Sequence, residues 1–171
     1  NHNYKARNLK TYIFAPKVDA EFHQGKIHSR LGVEEKANVF NESFNFYEYF
    51  KDKKTKKISC ILVDEAQFLT ELQVKELCNV CDKFNIPVMC YGIRTDFRGE
   101  LFEGSKSLLA YADNMIELKT ICEYENCTRK ATMVARFVDG KLVTEGEKVV
   151  IGGEHYKVYC RKHYRKITGL I

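Results

Sequence analysis

Residues 58–69 read ISCILVDEAQFL, a mostly apolar run that ends on two adjacent carboxylates, Asp64 and Glu65. The ISCILV portion is apolar on both faces, as a central strand of a parallel sheet should be. In such a sheet the C-terminal strand ends form the ligand-binding edge. An apolar strand ending in Asp is how nucleotide-dependent phosphohydrolases and kinases hold Mg²⁺, directly or through water. Neighbouring residues of an extended chain point in different directions. Glu65 is therefore available for a second task, such as taking a proton from a hydroxyl. Two exposed acids leading into the next helix would look the same in isolation, so the surroundings decide.

Downstream, TELQVKELCNVCDKFN (70–85) opens on Thr70, a natural N-cap, with Glu71 in the first turn. Val74, Leu77, Cys78, Cys81 and Phe84 recur at helical spacing and make one apolar face, so Cys78 and Cys81 read as core residues despite their C-x2-C spacing. Cys60 and Cys90, in apolar strands, read the same way. IPVMCYGI (86–93) is a second buried strand. Strand, helix and strand follow within residues 58–93, a βαβ unit with a right-handed crossover. LFEGSKSLLAYADN (101–114) predicts a loop and then a helix, and MIELKTI (115–121) a third strand. Upstream, TYIFAP (11–16) is a β-type run ending at Pro16, and residues 17–35 read as a loop. ANVFNESFNFYEYF (37–50) predicts a helix preceded by a strand or turn. After residue 121 the texture changes. Cysteines, a VDGK turn, KVVIGG and a closing Cys-His pair predict a small β-rich appendage. The expected organisation is an α/β domain over 1–120 and a small domain over 121–171.

The chain has 171 residues, enough for one well-buried core with an appendage. It is 44% hydrophobic and 30% charged with a formal charge of +5, ordinary for a globular protein. The basic run KDKKTKK (51–57) reads as a solvated loop. A nucleic-acid face would need more cations, interleaved with aromatics. No apolar run approaches a membrane span, and NHNYKARNLK at the start has no apolar signal core, so a cytoplasmic location is expected. Seven cysteines, an odd number without a secretion signal, favour reduced thiols and a metal site over disulfides.

Four of the metal-binding side chains fall into two close pairs. Cys122 and Cys127 are spaced C-x4-C, and Cys160 and His163 are spaced C-x2-H, with about thirty residues between the pairs. Three thiolates and an imidazole suit closed tetrahedral Zn²⁺. With no open coordination position, the ion would be structural and would fix the shape of the intervening chain.

In their order and spacing, VDEAQF, YGIRTDFRGELF and VVIGG…Y…CRKH resemble the type II thymidine kinases in their bacterial form, over about Tyr4 to Tyr164. The resemblance implies a parallel sheet of the P-loop NTPase (RecA-like) kind flanked by helices, plus a small zinc-binding β-rich domain with a lasso-like loop. It implies transfer of the γ-phosphate of ATP to the 5′-hydroxyl of thymidine, for pyrimidine salvage and DNA precursor synthesis. Glu65 would be the catalytic base, and Asp64, Glu65, Ala66 and Gln67 would face the nucleotide and its Mg²⁺. Phe68, Phe97 and Phe102 would wall the thymidine pocket. The backbone of Val149, Val150, Ile151 and Gly152 would hold the thymine edge, and Tyr156 would close over it. Cys122, Cys127, Cys160 and His163 would hold structural Zn²⁺. A homotetramer is expected, with dTTP as a feedback inhibitor and neither membrane nor nucleic acid as a partner.

Aromatic walls and backbone edges suit a flat, polar-edged pyrimidine, although Phe97 and Phe102 taken without the resemblance read as loop anchors. The chain departs from the family pattern in three places. No G-x-x-x-x-G-K-[ST] phosphate loop occurs. NHNYKARNLKTYIF resembles the end of the helix that follows such a loop, so these residues alone are expected to fold poorly and to have little kinase activity. Glu21, two residues after Asp19, stands where the family has arginine, and C-x4-C is wider than the common C-x2-C. The competing readings are a catalytically silent relative, a different ATPase, and a zinc-containing nucleic-acid-binding module with CRKHYRK (160–166) as its basic face.

Overall fold

A computed structural model describes residues 1–18, 26–28, 34–53, 57–118, 120–148 and 154–171. The elements in chain order are α1 (His2–Lys5), β1 (Lys10–Pro16), β2 (Lys26–His28), β3 (Glu34–Lys36), β4 (Asn38–Phe40), α2 (Phe46–Lys51) and β5 (Ile58–Val63). A 3-10 turn (Ala66–Phe68), α3 (Glu71–Phe84), β6 (Val88–Cys90) and α4 (Glu103–Tyr111) follow. The remaining elements are β7 (Thr120–Ile121), β8 (Lys130–Ala131), β9 (Met133–Val138), β10 (Lys141–Val143), β11 (Glu154–Tyr159) and α5 (Arg161–Thr168). They form two compact units: Asn1–Ile93 with Glu103–Ala112, and Arg94–Phe102 with Asp113–Ile171.

The first unit is α/β. Its sheet runs β4-β1-β5-β6 with every pairing parallel. β5 is bonded on both edges, and Cys60, Ile61 and Val63 are fully buried, which explains why the strand is apolar on both faces. α3 starts on a capping box: Thr70 Oγ1 accepts from the Gln73 N–H at 3.2 Å, and the Gln73 side chain accepts from the Thr70 N–H at 3.1 Å. Its apolar stripe of Val74, Leu77 and Val80 is buried in the core. The Gln73 amide also donates to the carbonyls of Asn41 (2.7 Å) and Phe44 (2.9 Å), and the Glu76 carboxylate accepts the Phe46 N–H at 2.9 Å. These bonds satisfy groups that burial would otherwise penalise. Phe14 meets Phe46 and Phe50 edge-on at centroid distances of 5.1 and 5.8 Å. Contacts of this kind are worth about 0.5–1.5 kcal/mol each beyond area burial.

The second unit is β-rich. β9 is the centre of an antiparallel sheet ordered β10-β9-β11, and β7 pairs with β8. The VDGK turn joins β9 to β10 with Asp139 at φ 48° and Gly140 at φ 75°, the positive pair that a tight hairpin needs. Cys122, Met133, Ala135, Tyr159, Cys160 and Tyr164 form the core of this unit.

Two expectations are corrected. MIELKTI (115–121) is not a continuous third strand: residues 115–118 join no ladder, and Thr120–Ile121 pair antiparallel with β8. Met115, Ile116 and Leu118 are exposed. Among the described residues no further strand pairs with the outer edge of β6. Within the predicted loop 17–35, β2 and the start of β3 form a short antiparallel ladder instead. Three-residue strands held by backbone bonds give too short a pattern to register as alternation. Asp19, Glu21 and the segment Val149–Gly152 lie outside the described residues.

Candidate active site and metal centre

β5 delivers Asp64 and Glu65 to the C-terminal edge of the sheet, both half-buried. The turn there is fixed by backbone bonds on both sides. The Asp64 N–H donates to the Phe14 carbonyl at 2.9 Å, and the Ala66 N–H to the Tyr91 carbonyl at 2.8 Å. Glu65 has φ 47° and ψ 42°, the left-handed region that non-glycine residues seldom adopt. The chain therefore leaves strand alternation at Glu65, where its hand reverses, and Asp64 Oδ1 accepts the Glu65 N–H at 3.1 Å. Such a conformation costs about 1–3 kcal/mol and persists where the surroundings over-determine it. Here they do. Gln67, 3% exposed, donates from Nε2 to Glu65 Oε2 at 2.5 Å and accepts the Ile93 N–H on Oε1 at 3.2 Å. The carboxylate is thus tied through Gln67 to the backbone beyond β6. Phe68 is half-buried at the end of the same turn.

Two glycines make room for this turn. A Cβ on Gly92 would stand 2.5 Å from Gln67 Oε1. A Cβ on Gly104, in α4, would stand 2.5, 2.7 and 2.9 Å from the carbonyl oxygens of Ala66, Leu69 and Gln67. α4 can approach the turn so closely only because position 104 has no side chain. Gly104→Ala should cost about 1–3 kcal/mol by overpacking against backbone that cannot step aside. At about 2–4 °C per kcal/mol for a chain of this size, thermal unfolding should shift down by roughly 2–12 °C. An unchanged midpoint would contradict the close approach.

In the second unit, the loop Arg94–Phe102 closes on itself around Asp96. Asp96 Oδ1 accepts the N–H groups of Arg98 and Glu100, both at 2.9 Å, while Oδ2 receives Arg98 Nε and Nη2 at 3.3 and 3.2 Å. Phe97 and Phe102 are buried, at 2% and 7% exposure. The Arg136 guanidinium lies 3.8 Å from the centroid of the Phe97 ring. Arg136 also donates to the carbonyls of Glu147 (2.7 Å) and Glu145 (3.0 Å). Lys148 donates to the Leu101 carbonyl at 3.3 Å. The chain leading into Val149 is therefore anchored on the Asp96 loop at several points. Tyr156, 44% exposed, stands on β11 opposite Arg136. Tyr164 is fully buried and donates its hydroxyl to the Phe97 carbonyl at 2.6 Å. Tyr164→Phe leaves that buried carbonyl without its donor, so a loss of about 1–3 kcal/mol is expected in denaturant unfolding.

Cys122, Cys127, Cys160 and His163 come together with all ligand atoms within 4.8 Å of one another. Cys160 is the N-cap of α5 and His163 lies in its first turn. His163 Nδ1 is 3.5 Å from both Cys122 Sγ and Cys160 Sγ. A tetrahedral zinc ion, with Zn–S near 2.3 Å and Zn–N near 2.0–2.1 Å, places sulfur and nitrogen about 3.5 Å apart. The cluster therefore fits structural zinc in both donor chemistry and spacing. Tyr124 stacks on the His163 ring at 4.1 Å, and Lys166 donates to the Tyr124 hydroxyl at 2.7 Å. Burial pushes the Cys160 thiol up, but the His163 N–H and its other hydrogen-bond partners outweigh it and hold the pKa below the ordinary thiol value. The Cys127 thiol moves the opposite way: a backbone bond from Arg129 lowers it, but burial and its bonds to Cys122 and Cys160 outweigh that and push it above the ordinary value. Cys78, Cys81, Cys60 and Cys90 take no part in the cluster. Cys78 and Cys90 pack on the core of the first unit, and burial pushes the Cys90 thiol up to about 12.

The pattern of the thymidine kinase family matches residues 1–164. A thymidine kinase of Salmonella typhimurium strain LT2 is 49% identical over 168 residues, covering 96% of this chain and 80% of its own length. One of Legionella pneumophila strain Philadelphia 1 is 50% identical over 170 residues, 97% of this chain and 80% of its own. One of Shewanella oneidensis is 48% identical over 169 residues, 97% and 86% respectively. The sheet edge with its paired acids and the Cys₃His cluster define an α/β protein with a β-rich unit whose ligand set fits a structural metal. The chain belongs to the thymidine kinase family.

Sequence reasoning missed four contributors: Arg136, Asp96, Tyr164 and Gly104. Arg136 did leave a signal, a lone cation within the otherwise apolar MVARFV. Gly104 left only a glycine at the second position of a helix, which usually costs stability and so calls for a packing reason.

Proposed function

We propose that this chain phosphorylates thymidine at the 5′-hydroxyl with ATP as donor. The observation that carries the reading is the restrained carboxylate of Glu65, held on the sheet edge by Gln67 and the Ile93 N–H. A base held in one orientation can take the hydroxyl proton as the 5′-oxygen attacks the γ-phosphorus and ADP leaves. Asp64, at the end of β5, would hold Mg²⁺, with Ala66 and Gln67 completing the nucleotide-facing turn. When bound, the ion neutralises charge on the phosphates. The parallel sheet suits a P-loop NTPase-like arrangement. Phe68, Phe97, Phe102 and Tyr156 are assigned to thymidine, together with the backbone of Val149, Val150, Ile151 and Gly152. The Cys₃His cluster would hold Zn²⁺ and serve the fold rather than the chemistry. Assembly as a homotetramer, inhibition by dTTP and a cytoplasmic location belong to the same reading. Among the described residues no helix is long and apolar enough to cross a membrane.

The test is thymidine-dependent formation of ADP and dTMP, measured with this chain and with one extended at its N-terminus by a Gly-Lys-Ser/Thr loop. Turnover that requires thymidine is expected in the extended form. ATP hydrolysis indifferent to thymidine, or thymidine binding without turnover in the extended form, would overturn the reading.

A further inference from the structure

The segment CRKHYRK (160–166) supplies two metal ligands and the buried Tyr164, but its cations have no task in the catalytic reading. With other residues of the second unit it lines a cavity of about 760 Å³. Six lining residues are cationic: Arg94, Arg129, Lys130, Arg161, Lys162 and Arg165. They converge from the Asp96 loop, from the chain around the start of β8, and from α5. Lys130 pairs with Glu117, and Arg94 donates to the Thr132 carbonyl at 3.4 Å. Among the described residues, no carboxylate pairs with Arg129, Arg161, Lys162 or Arg165.

Like charges facing one concavity repel. Five of these cations are exposed, so water and salt soften their repulsion, yet together they give the concavity a positive potential that suits an anion. Arg161 and Lys162 also sit in the first turn of α5, the positive end of its dipole, with no acid beside them. With Lys130 already paired to Glu117, zinc with three thiolates and an imidazole would carry a single net negative charge, too little to balance the five remaining cations. The volume falls within the range of about 300–1,000 Å³ usual for small-molecule sites. No lining residue is aromatic, so bases have nothing to stack on, which argues against a single-stranded nucleic acid. Four arginines offer the planar forks that grip phosphate oxygens two at a time.

We propose that this cavity binds an oligophosphate chain of two or three phosphate groups. It is lined by none of the residues assigned to thymidine or to phosphoryl transfer. The chain is either free or the tail of a nucleotide, and the two sources present the same charges.

Titration calorimetry with inorganic tripolyphosphate, at about 0.15 M salt, tests the site on the zinc-loaded protein. Saturable binding is expected, weakened at least tenfold in Arg161→Gln/Arg165→Gln, with zinc content and thymidine phosphorylation unchanged. Arg129→Gln, outside α5, should weaken binding in the same direction and covers the case in which the double variant loses zinc. A second arm titrates ATP: an additional binding event that the double variant abolishes assigns the site to a nucleotide tail, and its absence alongside tripolyphosphate binding assigns it to the free anion. No tripolyphosphate binding, equal binding by both variants and the parent, or duplex DNA binding that tripolyphosphate fails to displace would overturn the proposal.

Discussion

Replacing Glu65 by Gln in the form extended by a Gly-Lys-Ser/Thr loop should lower kcat for thymidine phosphorylation by about 10²–10⁴, the usual worth of a positioned general base. Thymidine affinity should change little. Gln is isosteric and can still accept the Gln67 amide through its carbonyl oxygen, so the left-handed turn and the tie to Ile93 survive. What disappears is the group able to take a proton. The melting temperature is the internal control and should stay within about 2 °C, as expected for a change of under 1 kcal/mol. Asp64→Asn gives the contrasting result. It should raise the Mg²⁺ concentration needed for half-maximal rate, and excess Mg²⁺ should restore part of the activity. Excess Mg²⁺ should do nothing for the Glu65 variant. Equal rescue of both would mean that the two acids share one role.

Removing the metal should have the second large effect. Two of the ligands, Cys122 and Cys160, are themselves core residues of the second unit, and His163 is sandwiched against Tyr124. Structural zinc contributes about 10–16 kcal/mol in small zinc domains, as much as the whole stability of a typical protein. Among the described residues the unit has a three-stranded sheet, a two-stranded ladder and one eight-residue helix to set against that loss. Cys160→Ser, or stripping with a strong chelator, should abolish amide-exchange protection in β9 and β11 while β1 and β5 keep theirs. Elemental analysis of the untreated protein should find one zinc per chain. Full protection of β9 in a demonstrably zinc-free protein would show that the cluster is packing alone.

The parts of the molecule legible in the sequence are those governed by short-range rules. β5 announced itself by a continuous apolar run, α3 by its cap and its stripe, and the metal set by the spacing of its two pairs. Other features depend on what lies across space. MIELKTI has the alternation of a strand, but residues 115–118 join no ladder and only the pair Thr120–Ile121 meets β8, so its pattern misleads. The hand of the chain at Glu65 has no local signal, because the residue is neither Gly nor Asn; it is imposed by bonds to Phe14 and Tyr91, distant in sequence. Gly104 matters only because three carbonyls face it. The resemblance named Phe97 and Phe102, but Asp96 and Tyr164, which fix the loop around them, emerge only from the fold, and Arg136 left no more than a lone cation in an apolar strand.

The most direct trial of the central claim is a crystal structure with thymidine bound. It should place a carboxylate oxygen of Glu65 about 2.6–3.2 Å from the 5′-oxygen of the nucleoside, still tied to Gln67. A nucleoside bound with its 5′-hydroxyl out of reach of that oxygen, and Glu65 turned to bulk solvent, would contradict the account.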